Sequence, residues 1–283
     1  MVSALRVLVA FAVASTAATF AAQLALHVAA RRAARGRHAC RDHDEPPGAL
    51  GVVRAATRET ALSLLVLLLW PLGARVASAD GRRTAVLVHG FASSPASLWL
   101  LARRLRRDGW AVSVPRLGAW WRDLDDAADR LAMHLERLRE RSGAPGVVVV
   151  AHGLAGLATR LLLRRQGRHA RIRMVLTLGT PHGGTRAAPC LARGLLRRDV
   201  RPGSAALRAL DAAALPPLVA ALAIASPDDA LVVPFEHALW ADACNVSVDG
   251  SGHLDLLVSA RVYAVIAENL AAVPEAALRR HGP

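Results

Sequence analysis

The sequence predicts an α/β fold with a doubly wound, mainly parallel sheet, preceded by one or two N-terminal transmembrane helices. From residue 83 onward, short β-branched apolar runs alternate with segments in which apolar residues recur at helical spacing. Polar residues and glycines follow several of these runs, at the edge where such sheets bind ligands. The first 80 residues hold most of the long uncharged apolar runs. A chain of 283 residues is long enough for one such domain and an appendage.

The first apolar segment, from Val7 to Ala30, has 24 residues without a formal charge. A membrane-spanning helix needs about 20. The segment also fits a secretory signal peptide, but it runs past a usual signal core into Arg31 and Arg32, which favours an uncleaved span. The positive-inside rule places this arginine-rich side in the cytoplasm. We therefore predict a span over residues 7–30 and a polar cytoplasmic loop over residues 31–58.

The second apolar segment, from Ala61 to Ala74, has only 14 uncharged residues and contains Pro71. This length fits either a short span or a buried or interfacial helix. If the segment spans a membrane, over about residues 61–77, the rest of the chain lies on the outer face. If it does not, the rest is cytoplasmic. We favour the hairpin of two spans, which makes residues 1–80 a membrane anchor.

The following domain, residues 83–283, is predicted to alternate strands with helices. Strands are expected at 85–88, 110–115, 147–150, 174–178, 218–225 and 245–248. Ser97 is expected to cap a helix that carries Leu98, Leu101 and Leu105. Asp123 is expected to cap a longer helix with one apolar and one charged face.

Charge and cysteine content argue against several classes of protein. The net charge is +14, but all 36 basic residues are arginines, and they are scattered over helices instead of forming one patch. We therefore expect no nucleic-acid partner. Cys40, Cys190 and Cys244 show no metal-ligand spacing, so we expect no metal and no cofactor. Cys190 and Cys244 could pair in an oxidising compartment, although isolated cysteines are more often buried small residues.

The run Val147 to Val150 leads into A-H-G-L-A-G at residues 151–156, which predicts a buried strand, a tight turn and a helix. This is the setting of the nucleophile elbow, whose G-x-S-x-G pattern presents a serine above the sheet. Gly153 stands where that serine would be. Ser93, Ser94 and Thr180 are the nearest hydroxyl candidates in the sequence motifs, but they also fit helix-entry and turn positions.

Five segments together identify a family resemblance: VLVHGF (86–91), VVVVAHGLAG (147–156), LTLGTPHGGT (176–185), SPDDALVVP (226–234) and DGSGHLDLL (249–257). Residues 83 to 270 resemble an α/β-hydrolase of the bacterial lipase/esterase kind, a family with a Ser-His-Asp triad. The resemblance implies Asp229 as the acid, with Asp228 as the fallback, and His253 as the histidine, in the chain order of this fold. It implies an oxyanion hole, the pair of donors that binds the negatively charged oxygen, formed by the backbone N–H groups of Phe91 and Leu154.

Further positions are assigned with the help of this resemblance. Trp120 and Trp121 follow a strand end and could line an acyl pocket, although a packed core edge explains them equally well. His182 is assigned to substrate binding at the pocket rim, and His152 to a structural role there. Residues 186–216 form an insert where the resembling lipases carry a lid.

The expected function is that of a membrane-anchored lipase or carboxylesterase that is weak or inactive because the elbow serine is Gly153. The expected partners are a lipid or acyl ester and the membrane, with the domain on the periplasmic side of a bacterial inner membrane. The alternatives are a non-catalytic module that binds a lipid, an acyl ligand or a protein, and a structural membrane protein with a vestigial domain. A local lesion in the serine codon would also explain Gly153.

Overall fold

The six predicted strands form one parallel sheet. The computed structural model describes residues 15–30, 49–70, 73, 83–118, 121–142, 146–188, 194–274 and 278. Within them, strand order is β2-β1-β3-β4-β5-β6, and each pairing is parallel. The strands are β1 (Arg83–Val88), β2 (Trp110–Ser113), β3 (Val147–His152), β4 (Ile172–Leu178), β5 (Ala220–Ala225) and β6 (Cys244–Ser247). The predicted α/β class with a parallel sheet is confirmed.

The central strands of the sheet are buried on both faces, which explains their continuous apolar runs. In β3, Val147 and Val149 face one apolar cluster, whereas Val148 and Val150 face the other. Successive side chains of a strand point to opposite faces, so a strand covered on both sides has no polar alternation. The covering helices are α3 (Trp99–Arg107), α4 (Leu124–Ser142), α5 (Leu154–Gln166), α6 (Gly194–Asp199), α7 (Ala205–Asp211), α8 (Asp255–Val258) and α9 (Ala260–Ala271).

One of the two predicted helix caps is present. The Asp123 carboxylate accepts from the N–H of Asp126 at 2.8 Å at the start of α4. The cap expected from Ser97 is wrong, because Ser97 lies inside a 3-10 turn, Pro95–Leu98, that precedes α3. Ser94 caps this turn, accepting from the N–H of Ala96 at 3.3 Å.

The N-terminal region differs from the predicted hairpin. Residues 15–30 are helical (α1), and residues 7–14 of the first predicted span lie outside the described part of the chain. The second helix, α2 (Ala49–Leu69), includes residues 49–58, which we had assigned to a loop. The charges of Arg54, Arg58 and Glu59 lie within this helix. In the described ranges, no helix combines the length and the apolar character that crossing a membrane requires.

Helix α2 packs against the domain through one face. Val52, Ala56, Glu59 and Thr60 are buried, at the spacing of one helical side. This face contacts the turn Pro95–Leu98 and helix α8. Toward its C-terminal end, α2 exposes Leu65, Leu67 and Leu68, with Trp70 following. The second apolar segment is therefore largely the C-terminal half of a helix that lies on the domain.

The strand order also locates the cleft. The chain leaves β1 toward β2 on one side of the sheet, and the strands from β3 onward extend to the other side. Ligands bind outside the carboxyl ends of the strands at such a reversal. The residues that follow β1 and β3, Phe91 and Gly153, lie at this point of the sheet.

The insert 186–216 contains α6 and α7, while residues 189–193 lie outside the described ranges. Leu196, Leu207 and Leu210 are buried in the apolar cluster beneath α4 and α5. The insert is thus packed on the core through these three leucines. Its role as a lid stays a prediction.

Candidate active site

The turn after β3 places Gly153, which is buried, at the carboxyl end of this central strand. β3 ends at His152 and α5 starts at Leu154, and Gly153 between them has φ 57° and ψ −132°. Glycine adopts this conformation without the strain that a side chain would bring. The N–H of Gly153 donates to the carbonyl of Leu178 at 2.9 Å. The hydroxyl of Thr180 donates to the carbonyl of Gly153 at 2.8 Å. The N–H and the carbonyl of Gly153 are therefore both hydrogen-bonded.

His253 and Asp229 form a buried pair on the loops after β6 and β5. Nδ1 of His253 lies 2.7 Å from Oδ2 of Asp229. The other carboxylate oxygen, Oδ1, accepts from the N–H groups of Leu231 at 2.8 Å and Val232 at 3.2 Å. Asp228, the fallback acid, instead accepts from the N–H of Gly250 at 2.6 Å. Asp229 is therefore the carboxylate that contacts the histidine.

The pair shifts the pKa of both partners. Burial alone would raise the pKa of Asp229, but the charge and hydrogen bond of His253, with the bond from Leu231, hold it below its ordinary value. Burial alone would lower the pKa of His253, but the charge and hydrogen bond of Asp229 raise it above its ordinary value, with a further contribution from Glu59. The pair thus favours an ionised carboxylate and a basic imidazole, with Nδ1–H donating to Oδ2.

The free edge of the imidazole faces Gly153. An ideal Cβ built on Gly153 would lie 3.2 Å from Nε2 of His253 and 3.5 Å from Cε1. Because Nδ1 is occupied by Asp229, Nε2 is the nitrogen available for proton transfer. The structure therefore brings Gly153, His253 and Asp229 together in the order that the sequence predicts.

Two backbone segments flank this point. Phe91 follows β1, and its ring meets that of Trp121 edge-on at 5.8 Å. Leu154 is the first residue of α5, where backbone N–H groups have no acceptor within the helix and the helix dipole favours negative charge. Both positions fit donors to an oxyanion above the sheet edge, and this assignment stays a prediction.

Two predicted substrate-binding residues lie in the interior. Trp121 is 4% exposed, and its indole N–H donates to the carbonyl of Gly118 at 3.1 Å. His182 is buried between the Thr177 hydroxyl, at 3.0 Å, and the ring of Trp240, with ring centroids 5.0 Å apart. Their burial does not favour direct contact with a substrate.

The structure describes only one of the three residues Trp120, Cys190 and Cys244. Trp120 and Cys190 lie outside the described residues, so the substrate role of Trp120 and the pairing of Cys190 with Cys244 stay predictions. Cys244 is exposed on β6.

The candidate replacement hydroxyls are engaged in local bonds. The Thr180 hydroxyl holds the Gly153 carbonyl, as described above. Ser93 donates to the Ser97 hydroxyl at 3.0 Å, and Ser94 caps the turn after β1. These bonds favour structural roles for all three side chains.

His152 holds the backbone of His253, a contact that sequence reasoning missed. Its Nε2 lies 3.0 Å from the carbonyl oxygen of His253, so Nε2–H is the donor. Burial, followed by the charge of His253, lowers the pKa of His152 to about 3. His152 is therefore a neutral ring that fixes the histidine loop.

Glu59 is the second residue that sequence reasoning missed. Both carboxylate oxygens lie 3.1 Å from the N–H of Leu254, and one accepts from the N–H of Asp255 at 3.2 Å. Burial is the main reason that the pKa of Glu59 rises to about 7. A signal was available, because Glu59 falls three residues after Ala56 on a helical face that is otherwise uncharged, where an unpaired charge is rare.

Comparison with solved structures identifies the fold. A mature-form lipase of Bacillus licheniformis matches with TM-score 0.58 at 18% identity, over 67% of this chain and 92% of that one. Lipase B of Aspergillus fumigatus matches with TM-score 0.57 at 16% identity, over 67% of this chain and 52% of that one. A gene product of Listeria innocua matches with TM-score 0.52 at 15% identity, over 68% and 95%. These likenesses show that the chain has the α/β-hydrolase fold. No protein-family model and no curated protein matches the sequence.

Proposed function

We propose that this chain is a lipase/carboxylesterase-type protein that binds acyl esters, and that Gly153 occupies the position of the serine nucleophile. One observation carries the proposal. A Cβ at Gly153 would point to within 3.2 Å of Nε2 of His253, whose Nδ1 is held by Asp229 at 2.7 Å. A hydroxyl on that Cβ would fall within hydrogen-bond reach of the imidazole, as acyl transfer requires.

The same geometry specifies the chemistry that a serine would perform. Its Oγ would attack the ester carbonyl carbon while its proton passes to Nε2 of His253. The negative charge on the carbonyl oxygen would be met by the N–H groups of Phe91 and Leu154. Collapse would break the bond to the leaving alcohol, which takes the proton from Nε2. Water, deprotonated by the same nitrogen, would then attack the acyl carbon. The bond from that carbon to Oγ would break as Oγ takes the proton back from Nε2, and the acid would leave.

With glycine at this position, the natural chain has no attacking oxygen in the turn. His253 can still activate a water in the space that the side chain would fill. In a serine protease, the oxyanion hole and binding alone leave about 10³ to 10⁴ of acceleration after triad removal. We expect at most slow turnover of this kind in the natural protein.

The missing hydroxyl in an otherwise assembled site also favours a second function, the binding of an acyl or lipid ligand without turnover. A protein partner in the same cleft belongs to this class. Ester affinity that is retained while turnover is absent would support it.

Membrane attachment belongs to the proposal as well. The uncharged segment 7–30 is the candidate for an anchor. Reporter fusions after residues 45 and 82 test the predicted periplasmic location, which requires residues 61–77 to span although α2 packs against the domain. A periplasmic reporter that is silent after residue 82 would contradict that location.

The nucleophile assignment is tested with the full-length chain and p-nitrophenyl esters of short and long acyl chains. Gly153→Ser should raise turnover over the wild type by on the order of 10²-fold or more, and adding His253→Ala should remove the gain. Gly153→Ser should also react covalently with a fluorophosphonate probe that leaves the wild type unlabelled. A folded Gly153→Ser chain that neither turns over esters nor takes the probe would overturn the assignment.

A further inference from the structure

Helix α2 reaches the candidate active site through Glu59. The Glu59 side chain is almost completely buried, and its carboxylate accepts three hydrogen bonds from the two residues after His253. Glu59 also lies close to Gly252, the residue before His253, because a Cβ on Gly252 would overlap the Glu59 carboxylate. Glycine at position 252 is thus what allows the helix and the histidine loop to meet.

The segment around His253 is restrained by local bonds, from the N–H of Leu256 to the carbonyl of Gly252 and from the N–H of Leu257 to the carbonyl of Leu254, and by partners from other elements. The carbonyl oxygen of His253 accepts from Nε2 of His152, and the ring of His253 is hydrogen-bonded to Asp229. The following N–H groups, of Leu254 and Asp255, are held by Glu59. Arg58 adds an ion pair with Asp255 at 3.0 Å, from a side chain that is 60% exposed. The backbone on both sides of the imidazole is therefore fixed by partners from two different elements, β3 and α2.

We propose that Glu59 is a positioning residue for His253, acting both through its bonds to the histidine loop and through its negative charge, so that α2 is a functional part of the active site. The inference rests on the proposed function only for its effect on turnover. The contact itself is defined by the bonds of Glu59 to Leu254 and Asp255.

Electrostatics supports the geometry. The charged and titratable groups around Glu59 are Arg58 on its own helix, Asp255 and His253 on the loop it binds, and Asp229 on the loop after β5. The negative charge of Glu59 contributes to raising the pKa of His253, after the larger effects of burial and Asp229. A residue that served only as a backbone acceptor would not need this charge.

The substitution Glu59→Gln separates the two roles. It keeps an oxygen that accepts from Leu254 and Asp255 but removes the charge. In the full-length chain with labelled histidines, NMR titration should give His253 a lower pKa in Glu59→Gln than in the wild type. Glu268→Gln, which changes an exposed carboxylate on α9, is the matched control and should leave His253 unchanged. An unchanged His253 pKa in a folded Glu59→Gln chain would overturn the proposal.

A second measurement uses the wild type and therefore does not depend on whether the Glu59→Gln chain folds. In the wild type, the His253 ring signals should shift in two steps, one of which follows the titration of the Glu59 carboxyl carbon. His253 ring signals with no component at the titration midpoint of the Glu59 carboxyl carbon would show that the two groups do not interact. Neither NMR result depends on catalysis, so both remain valid if Gly153→Ser is inactive.

The effect on turnover is measured in the Gly153→Ser background. Misplaced catalytic groups cost up to about 100-fold in rate. Adding Glu59→Ala should lower kcat by about tenfold or more with little change in KM, and Glu59→Gln should recover part of that loss. Equal loss in both, accompanied by unfolding at the assay temperature, would assign Glu59 a purely structural role.

Discussion

His152 and His253 face each other with ring centroids 4.3 Å apart, and their surroundings shift the two pKa values in opposite directions. His152 is buried and the His253 side chain is 12% exposed, but only His253 has a carboxylate on one of its nitrogens. His152 donates to a carbonyl, and its Nδ1 has no hydrogen-bond partner among the described residues. At neutral pH the proton acceptor of the pair is therefore His253.

Asp229→Asn should lower the pKa of His253 and, in the Gly153→Ser background, reduce kcat by on the order of 10³ to 10⁴. The amide removes the charge that favours the imidazolium and can impose the wrong tautomer. NMR titration and ester hydrolysis measure the two effects. Asp228→Asn is the control, since Asp228 bonds to Gly250 instead of His253. Equal losses in both variants would contradict the assignment of Asp229.

Gly153→Ala should lower the free energy of unfolding by about 1 to 3 kcal/mol, because a side chain is strained at φ 57° and ψ −132°. Gly167 is a close control, with φ 52°, ψ −131° and no atom within 4 Å of an added Cβ. Gly167→Ala should therefore show the backbone cost alone. Urea unfolding measures the loss of unfolding free energy in each variant. The difference between the two losses reports the contact of the added Cβ at position 153 with His253. A Gly153→Ala chain as stable as the wild type would contradict the elbow geometry.

Thr180→Val should destabilise the chain by about 0.5 to 1.5 kcal/mol, since it removes the hydroxyl bond to the carbonyl of Gly153. Thr84→Val provides a contrast, because the Thr84 hydroxyl is buried without a hydrogen-bond partner among the described residues. That replacement should be neutral or stabilising. Thermal unfolding compares the two threonines, and the reverse ranking would argue against the Thr180 bond.

Glu59 should make stability depend on pH in the direction opposite to an ordinary ion-paired carboxylate. Its folded pKa of about 7 lies above its ordinary value of 4.5. The folded chain thus keeps a proton that the unfolded chain releases between these values. The resulting stabilisation is fully present below pH 4.5 and is lost as the pH rises through 7.

The measurement compares the wild type with Glu59→Gln, which does not titrate. The free energy of unfolding of the wild type, relative to this variant, should fall by up to about 3 kcal/mol from pH 4.5 to 8. His253 also loses its contribution as the pH rises through its own raised pKa, so the difference between the two chains is the relevant quantity. Parallel pH profiles would show that Glu59 is not buried in this way.

The strands and the Asp229–His253 pair could be anticipated for different reasons. Strands buried on both faces have a local sequence pattern, a continuous apolar run such as Val147 to Val150. Asp229 and His253 have no such pattern around them, and they could be assigned as a pair only from the resemblance to a family with a fixed chain order. The contact of Glu59 with Leu254 joins residues 195 positions apart and has neither kind of signal.

The helix boundary near the N-terminus differs from the prediction for a physical reason. The predicted loop over residues 31–58 contains Arg54 and Arg58, and Glu59 directly follows it. The helix instead continues through them, because Arg58 reaches Asp255 at the surface and Glu59 finds backbone donors in the interior. Tertiary partners thus decided a boundary that local composition could not.

Because α2 packs against the domain with the hydrolase fold, it matters whether a shortened form of the protein retains this helix. Deleting residues 1–80 as a dispensable leader would remove Glu59 and leave two buried donors, the N–H groups of Leu254 and Asp255, without their acceptor. Such a shortened protein would test a damaged histidine loop, and its inactivity would say nothing about Gly153. Any shortened form that is meant to report on Gly153 must therefore retain α2, Ala49–Leu69.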